Sequence, residues 1–231
     1  EIPQAIKVTA TNIHHFTETK AQNQAANDSH INGYLETNLT THTISRIRAI
    51  LKEQGKQIHH AEYRPRAPTP SGIGGFYSAE GGVAASASED IVMNLPKDAD
   101  DHSYRILAST GRYIERHVHI NNGKDILTIA FYYGVTGANS GTKDSREYLL
   151  NEFLLHHIVQ RLIKSPYPMC VNGDFNVDPA KSDTLQLAFA TEEIVDSIKE
   201  RFGQGADPPP TFRREGAFNG MVGKGCTRLD Y

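Results

Sequence analysis

Apolar and polar positions alternate over several short stretches of the chain, and these stretches predict strands. Ala5 to Ile13 alternates and carries Asn12 near its tip, and Ile31 to Leu39 predicts a second short strand with Glu36 at its end. Thr17 to Asn32, between the two, reads as a weak surface helix or loop. From Thr43 the period changes. Ile44, Ile47, Ile50 and Leu51 recur at helical spacing, with Thr43 as N-cap and Gly55 as the stop. Strands are expected next at Gln57 to Tyr63, Gly81 to Ser86 and Tyr104 to Ala108, with a surface turn over Asp98 to His102. Arg112 to Ile120 has the cleanest alternation in the chain, and the hairpin signal Asn121-Asn122-Gly123 joins it to a strand at Asp125 to Tyr133.

The second half begins with a Gly/Ser/Thr loop over Gly134 to Lys143. Ser145 to Lys164 then predicts a helix capped by Ser145, with Leu149, Phe153, Leu154, His157, Ile158 and Leu162 on its buried side. Pro168 to Val171 reads as a short buried strand and Glu192 to Arg201 as a further helix. Hairpins mixed with strand-helix-strand units imply an α/β (α+β) chain of mixed sheets covered by helices. No internal repeat or disordered linker divides it, so residues 1–231 read as a single domain.

Composition narrows the field. The 231 residues are 38% hydrophobic, enough for a core, and their net charge of -3 provides no global basic field for nucleic acid. Contact with a polyanion would therefore need a metal or a local basic rim. Arg64 and Arg66, and Arg213 and Arg214, lie in Pro/Gly-rich loops where they are either that rim or solvated charges. Cys170 and Cys226 are the only cysteines, and no apolar span approaches the ~20 residues of a membrane helix. A reduced intracellular setting without membrane attachment is expected. Glu1-Ile2-Pro3-Gln4 has no signal-peptide layout and no initiator Met, so the chain is expected to be part of a longer polyprotein.

The chemistry concentrates at Cys170 to Pro179, C-V-N-G-D-F-N-V-D-P, where a turn places Asp174, Asn176 and Asp178 at the carboxyl end of a strand. Acidic groups and an amide so spaced can hold a hard cation and point a carboxylate at a water. They can equally form an Asx-rich turn that satisfies only its own backbone. Asp178 and Asp196 read as turn and surface groups. Gly81-Gly82 is weak as a phosphate loop, because no Lys-Ser or Lys-Thr follows.

Taken in order, a longer set of segments carries a resemblance. Thr11-Asn12, Leu35-Glu36-Thr37, Gly81-Gly82-Val83-Ala84, Ile129 to Tyr133, Arg146, Gly173-Asp174-Phe175-Asn176, Asp196, Pro210-Thr211-Phe212 and Thr227-Arg228-Leu229-Asp230-Tyr231 resemble successive landmarks of the endonuclease/exonuclease/phosphatase family. The resemblance runs from about Ile6 to the last residue. It implies the DNase I-like fold, a four-layer sandwich of two mixed β-sheets flanked by helices, here with its final strands missing. T-R-L-D-Y is similar to the apurinic-endonuclease and non-LTR retrotransposon endonuclease branches.

The resemblance also implies roles. Glu36 would be the main ligand of Mg²⁺, or of Mn²⁺, with Asn12 in support. Asp174 would orient or deprotonate the attacking water, Asn176 would hydrogen-bond the phosphate, and Tyr133 would contact it from a neighbouring strand end. Asp230 would orient a histidine that the family places beyond the last residue of this chain. Three departures stand out: that absent histidine, Gly134-Val135 where retroelement relatives commonly have Ala-Pro, and the polar run before Glu36. The implied activity is Mg²⁺-dependent phosphodiester hydrolysis of nucleic acid, most simply DNA, by a retroelement-type endonuclease, with a nuclear location. The alternatives are a phosphomonoesterase or phospholipase of the same fold, and a noncatalytic binding module or inactive fragment.

Overall fold

The computed structural model describes residues 6–24, 27–61, 82–120, 123–140, 142–196, 212–213 and 226–227. The chain divides into two compact units, one formed by Glu1–Tyr133 with Ser165–Gly173 and the other by Gly134–Lys164 with Asp174–Tyr231.

The first unit opens with strand β1 (Val8–Asn12), helix α1 (Glu18–Asn23), strand β2 (Ile31–Leu35), helix α2 (Thr41–Glu53), and strands β3 (Lys56–His60) and β4 (Val83–Ser88). It continues with β5 (Met93–Asn94), α3 (His102–Ser109), β6 (Tyr113–Ile120) and β7 (Asp125–Tyr133). One sheet has the order β1-β2-β4-β3 and is mixed, since β1 and β2 run parallel while β2/β4 and β3/β4 run antiparallel. The other has the order β5-β6-β7-β8, where β8 spans Met169–Asp174 and ends on the first residue of the second unit's last segment. β5/β6 and β6/β7 are antiparallel. Thr128 N donates to Pro168 O (2.8 Å) and Gly134 N to Asp174 O (2.6 Å), so residue numbers rise together along β7 and β8 and that pair is parallel.

Side-chain alternation builds the core between these sheets. Ile31, Leu35, Val83, Ala85 and Ala87 of the first sheet pack against Met93, Ile114, Val118, Ile129, Phe131 and Tyr133 of the second. The small residues of β2 and β4 set the closeness of that approach. A Cβ at Gly33 would fall on the Phe131 ring, so the glycine makes room for the aromatic side chain. The opposite face of the first sheet carries Tyr34 and Ala84, which pack with Phe16, Ala21, Ile44, Ile47 and Leu51 from the α1 and α2 region. Tyr34 donates to or accepts from Ser86 Oγ at 2.8 Å, and burial pushes its phenol pKa up to about 12. His59 on β3 is pulled the other way, down to about 4, first by desolvation and then by Arg116, Arg48 and His60.

The second unit contains α4 (Arg146–Lys164) and α5 (Asp183–Ala190), which pack together: Tyr148 OH donates to Lys181 O and Thr184 N to Glu152 Oε2, both at 2.9 Å. A short antiparallel pair, β9 (Phe212–Arg213) with β10 (Cys226–Thr227), completes the described elements.

Several expectations are corrected. Tyr104 to Ala108 is helix, not strand, because Asp101 caps it by accepting from Tyr104 N (3.1 Å) and Leu107 is the residue it buries deepest. α2 starts earlier than expected. Its N-cap is Thr40, and Thr43 is the reciprocal partner in a capping box. On α4, Ser145 does cap, accepting from Tyr148 N at 3.2 Å, but Leu149 and Phe153 are 55% and 50% exposed while Tyr148, Asn151 and Leu155 take the buried side. β8 is longer than its apolar start, reaching Asp174, and is exposed at Cys170; among the described residues it is the last strand of its sheet. The helix expected at Glu192 to Arg201 is not formed over 192–196, and its remainder lies outside the described residues; α5, at Asp183–Ala190, was not expected. Arg64, Arg66, Arg214 and Asp230 also lie outside them, and Arg213 is described only as backbone in β9.

Candidate active site

In the first unit Asn12, Glu36 and Tyr133 come together. Asn12 ends β1 opposite Leu35 of β2, so Glu36 is the first residue past the neighbouring strand tip. Beyond these strands the two chains stay bonded: Ile13 N donates to Leu35 O (3.1 Å), His15 N to Glu36 O (2.7 Å) and Phe16 N to Thr37 O (2.8 Å). The turn is held in an uncommon conformation, with positive φ at His14 (40°), His15 (73°), Glu36 (53°) and Asn38 (46°). Asn12 Oδ1 accepts from His14 N at 3.2 Å, which closes the turn on itself.

This backbone aims the Glu36 carboxylate at two side chains. Tyr133 OH donates to Oε1, and His14 Nδ1 contacts Oε2. The carboxylate is 25% exposed and the imidazole 77%, so the pair faces solvent, while Tyr133 is buried. Arg112 stacks its guanidinium 5.2 Å from the Tyr133 ring centroid and donates from Nη1 to Tyr133 O at 3.5 Å. Arg112 was not singled out by sequence reasoning, and His14 was weighed there only as a surface or helix-packing histidine. A helical or strand period carries no mark of a turn whose geometry comes from backbone pairing with a distant segment.

In the second unit Asp174 and Asn176 share one turn. Asp174 Oδ1 accepts from Asn176 N at 3.0 Å, the Asx turn that the spacing allowed. Asn176 has φ 51° and donates from Nδ2 to Gly134 O at 3.1 Å. Asn151 of α4, fully buried, clamps the same backbone, accepting from Val135 N (2.8 Å) and donating to Phe175 O (3.1 Å). Just before the turn, Gly173 has φ 153°, and a Cβ there would overlap the carbonyl oxygen of Tyr132. Only glycine fits that backbone approach. Asp178 is a turn group, accepting from Ala180 N at 3.0 Å through Oδ1.

A further cluster lies on the face of β6 turned away from the inter-sheet core. Ligand atoms of Asp98, Glu115 and His117 all lie within 4.8 Å of one another, an arrangement that could bind a metal. Glu115 also accepts from Tyr113 OH at 2.6 Å. Its residues are separated by α3 in the sequence, so no local motif announces it.

No family model and no curated protein matches the chain by sequence. Solved structures do match it by fold. The 3′ phosphatase NExo from Neisseria, bound to a product DNA hairpin, aligns with a TM-score of 0.61 at 18% identity over 98% of this chain and 85% of that one. The catalytic domain of human Nocturnin aligns with a TM-score of 0.63 at 16% identity, covering 98% and 81%. An AP endonuclease from Archaeoglobus fulgidus aligns with a TM-score of 0.60 at 16% identity, covering 98% and 85%. The chain therefore adopts the DNase I-like fold of the endonuclease/exonuclease/phosphatase proteins.

Proposed function

We propose that this chain hydrolyses phosphodiester bonds of nucleic acid with a divalent cation, as a retroelement-type endonuclease. The observation that carries the reading is Glu36, a carboxylate held at a strand tip in a left-handed backbone with an imidazole and a phenol on its two oxygens. Strain of this kind persists where function requires it. The retroelement type rests on the likeness of Thr227-Arg228-Leu229-Asp230-Tyr231 to that branch.

Glu36 and Asn12 present carboxylate and amide oxygens, the hard donors that Mg²⁺ and Mn²⁺ take, so the residues fit such an ion. Bound there, it would supply Lewis-acid polarisation of a phosphoryl oxygen. The remaining work falls to the chain. Tyr133 orients Glu36 through its hydroxyl. Asp174 takes the proton of the attacking water or assists the leaving oxygen, its rotamer fixed by the bond from Asn176 N. Asn176 uses one amide hydrogen on Gly134 O, and its second N–H is available to a nonbridging phosphate oxygen. Arg112 offers positive charge to the same kind of group.

Nicking of supercoiled plasmid in Mg²⁺ or Mn²⁺ tests this. A version of the chain extended to include the histidine that the resemblance places after Tyr231 should nick, and Asp174→Ala should lower its rate by roughly a hundredfold or more. An extended version that neither nicks DNA nor releases phosphate with either ion overturns the reading. NExo's description as a 3′ phosphatase favours a second reading, phosphate removal from nucleic-acid ends. Phosphate release from a 3′-phosphorylated oligonucleotide without plasmid nicking would select it.

A further inference from the structure

We propose that His14 supplies a nitrogen donor to the cation held by Glu36, and that this donor makes the site take Mn²⁺ in preference to Mg²⁺. The inference rests on the metal-holding role of Glu36 given above.

The first argument is geometric. His14 and His15 both occupy the left-handed region, which for residues with a Cβ costs about 1–2 kcal/mol each. The main chain enforces it. Hydrogen bonds from Ile13, His15 and Phe16 to Leu35, Glu36 and Thr37 lock the turn to the Glu36 segment, and Lys20 Nζ donates to His14 O at 2.9 Å. One result of this enforced conformation is that His14 Nδ1 meets Glu36 Oε2. The contact is not a by-product of burial, because the His14 side chain is 77% exposed. An exposed imidazole gains little by pairing with a carboxylate in water, whereas the backbone distortion that puts it there is expensive.

The second argument is chemical. Two ligand atoms bound side by side to one small dication stand roughly 3 Å apart, given ligand distances of about 2.1 Å. Donor atoms already in contact at Glu36 and His14 reach that spacing by a slight separation, with no rebuilding of the turn. Mg²⁺ demands oxygen donors and dehydrates reluctantly, so an imidazole gives it little. First-row transition ions accept imidazole nitrogen readily. A carboxylate, an amide oxygen and an imidazole therefore discriminate by donor type and not by charge.

The test is direct binding. The whole chain is titrated with Mn²⁺, free ion being followed by electron paramagnetic resonance, and Mg²⁺ is measured by competition. Pulsed spin-echo spectra of bound Mn²⁺ report coordinated nitrogen. Wild type and His15→Ala, which keeps the main-chain bond to Glu36, should both show nitrogen modulation. His14→Ala should lose it, and the ratio of Mn²⁺ to Mg²⁺ affinity should fall by about tenfold or more. His14→Asn tolerates the left-handed backbone and replaces nitrogen by oxygen, so it should fold normally and show the same loss of preference. Nitrogen modulation that survives in both His14 variants, or an unchanged ratio, overturns the proposal. Glu36→Gln separates the two levels. If it abolishes Mn²⁺ binding while the His14 variants change nothing, only the role of His14 fails. If Mn²⁺ binds undiminished to Glu36→Gln, or does not bind to wild type, the metal-holding role of Glu36 fails and this inference with it.

Discussion

Glu36 and Asp174 each stand at the end of a strand, yet different forces hold them. Glu36 is fixed by groups far from it in the chain: Tyr133 on one oxygen, His14 on the other, and the backbone of residues 13–16 alongside. Asp174 is fixed by its own turn, with Asn176 N on Oδ1 and Asn151 holding the adjacent backbone from α4. One carboxylate is positioned by tertiary pairing and the other by local turn chemistry, with Asn151 as a buried brace on the adjacent backbone. The first arrangement should be sensitive to anything that loosens the sheet carrying it. The second should fail chiefly when its brace is cut.

The sharpest way to break that contrast is Asn151→Ala. It removes the acceptor of Val135 N and the donor to Phe175 O in a fully buried setting, and should lower stability by about 3 kcal/mol in urea denaturation. A loss under about 1 kcal/mol would mean that the Asp174 turn holds itself without α4.

Acid probes the first arrangement. The folded-state pKa of His59 is depressed to about 4 from an ordinary 6.5, so the unfolded chain takes up a proton before the folded one does. The contribution of His59 is complete above pH 6.5 and is lost as pH falls from there towards 4. Partial exposure of the ring screens the effect, so a fall of several degrees in thermal midpoint is expected. His59→Gln should flatten that slope. An equally steep decline in the variant would place the acid sensitivity elsewhere.

The smallest effect belongs to Tyr133→Phe, which removes the hydroxyl that donates to Glu36 Oε1. It should reduce stability by about 1 kcal/mol and leave the fold's circular dichroism unchanged. No change at all would show that His14 and the backbone suffice to orient the carboxylate.

This difference in support also governs what the sequence could reveal. The Gly173-Asp174-Phe175-Asn176 turn was legible because its geometry is written in adjacent residues, and the hairpin of β6 and β7 was legible because its alternation is long. The place of Glu36 at a strand tip was legible too, but not its left-handed backbone or its pairing with His14, which depend on a register set by β1 and β2. α5 was missed for a related reason. Leu185, Leu187 and Phe189 alternate like a strand, yet Ser182 caps a helix that buries Leu185 and leaves Leu187 66% exposed. Over so short a window the two periods overlap, and the cap decides. α3 shows the same limit, since Tyr104 to Ala108 is too short for its apolar run to declare a period before Asp101 is seen to start a helix.

The bonds that tie residues 13–16 to residues 35–37 run from amide to carbonyl, and every residue except proline can make them. Substitutions along this turn by residues that tolerate a left-handed backbone, such as asparagine, can therefore accumulate over generations without moving the Glu36 backbone. Lineages descended from a common ancestor could keep the position of the carboxylate while trading the imidazole beside it for another side chain, so that what touches the carboxylate drifts while the scaffold that presents it stays put.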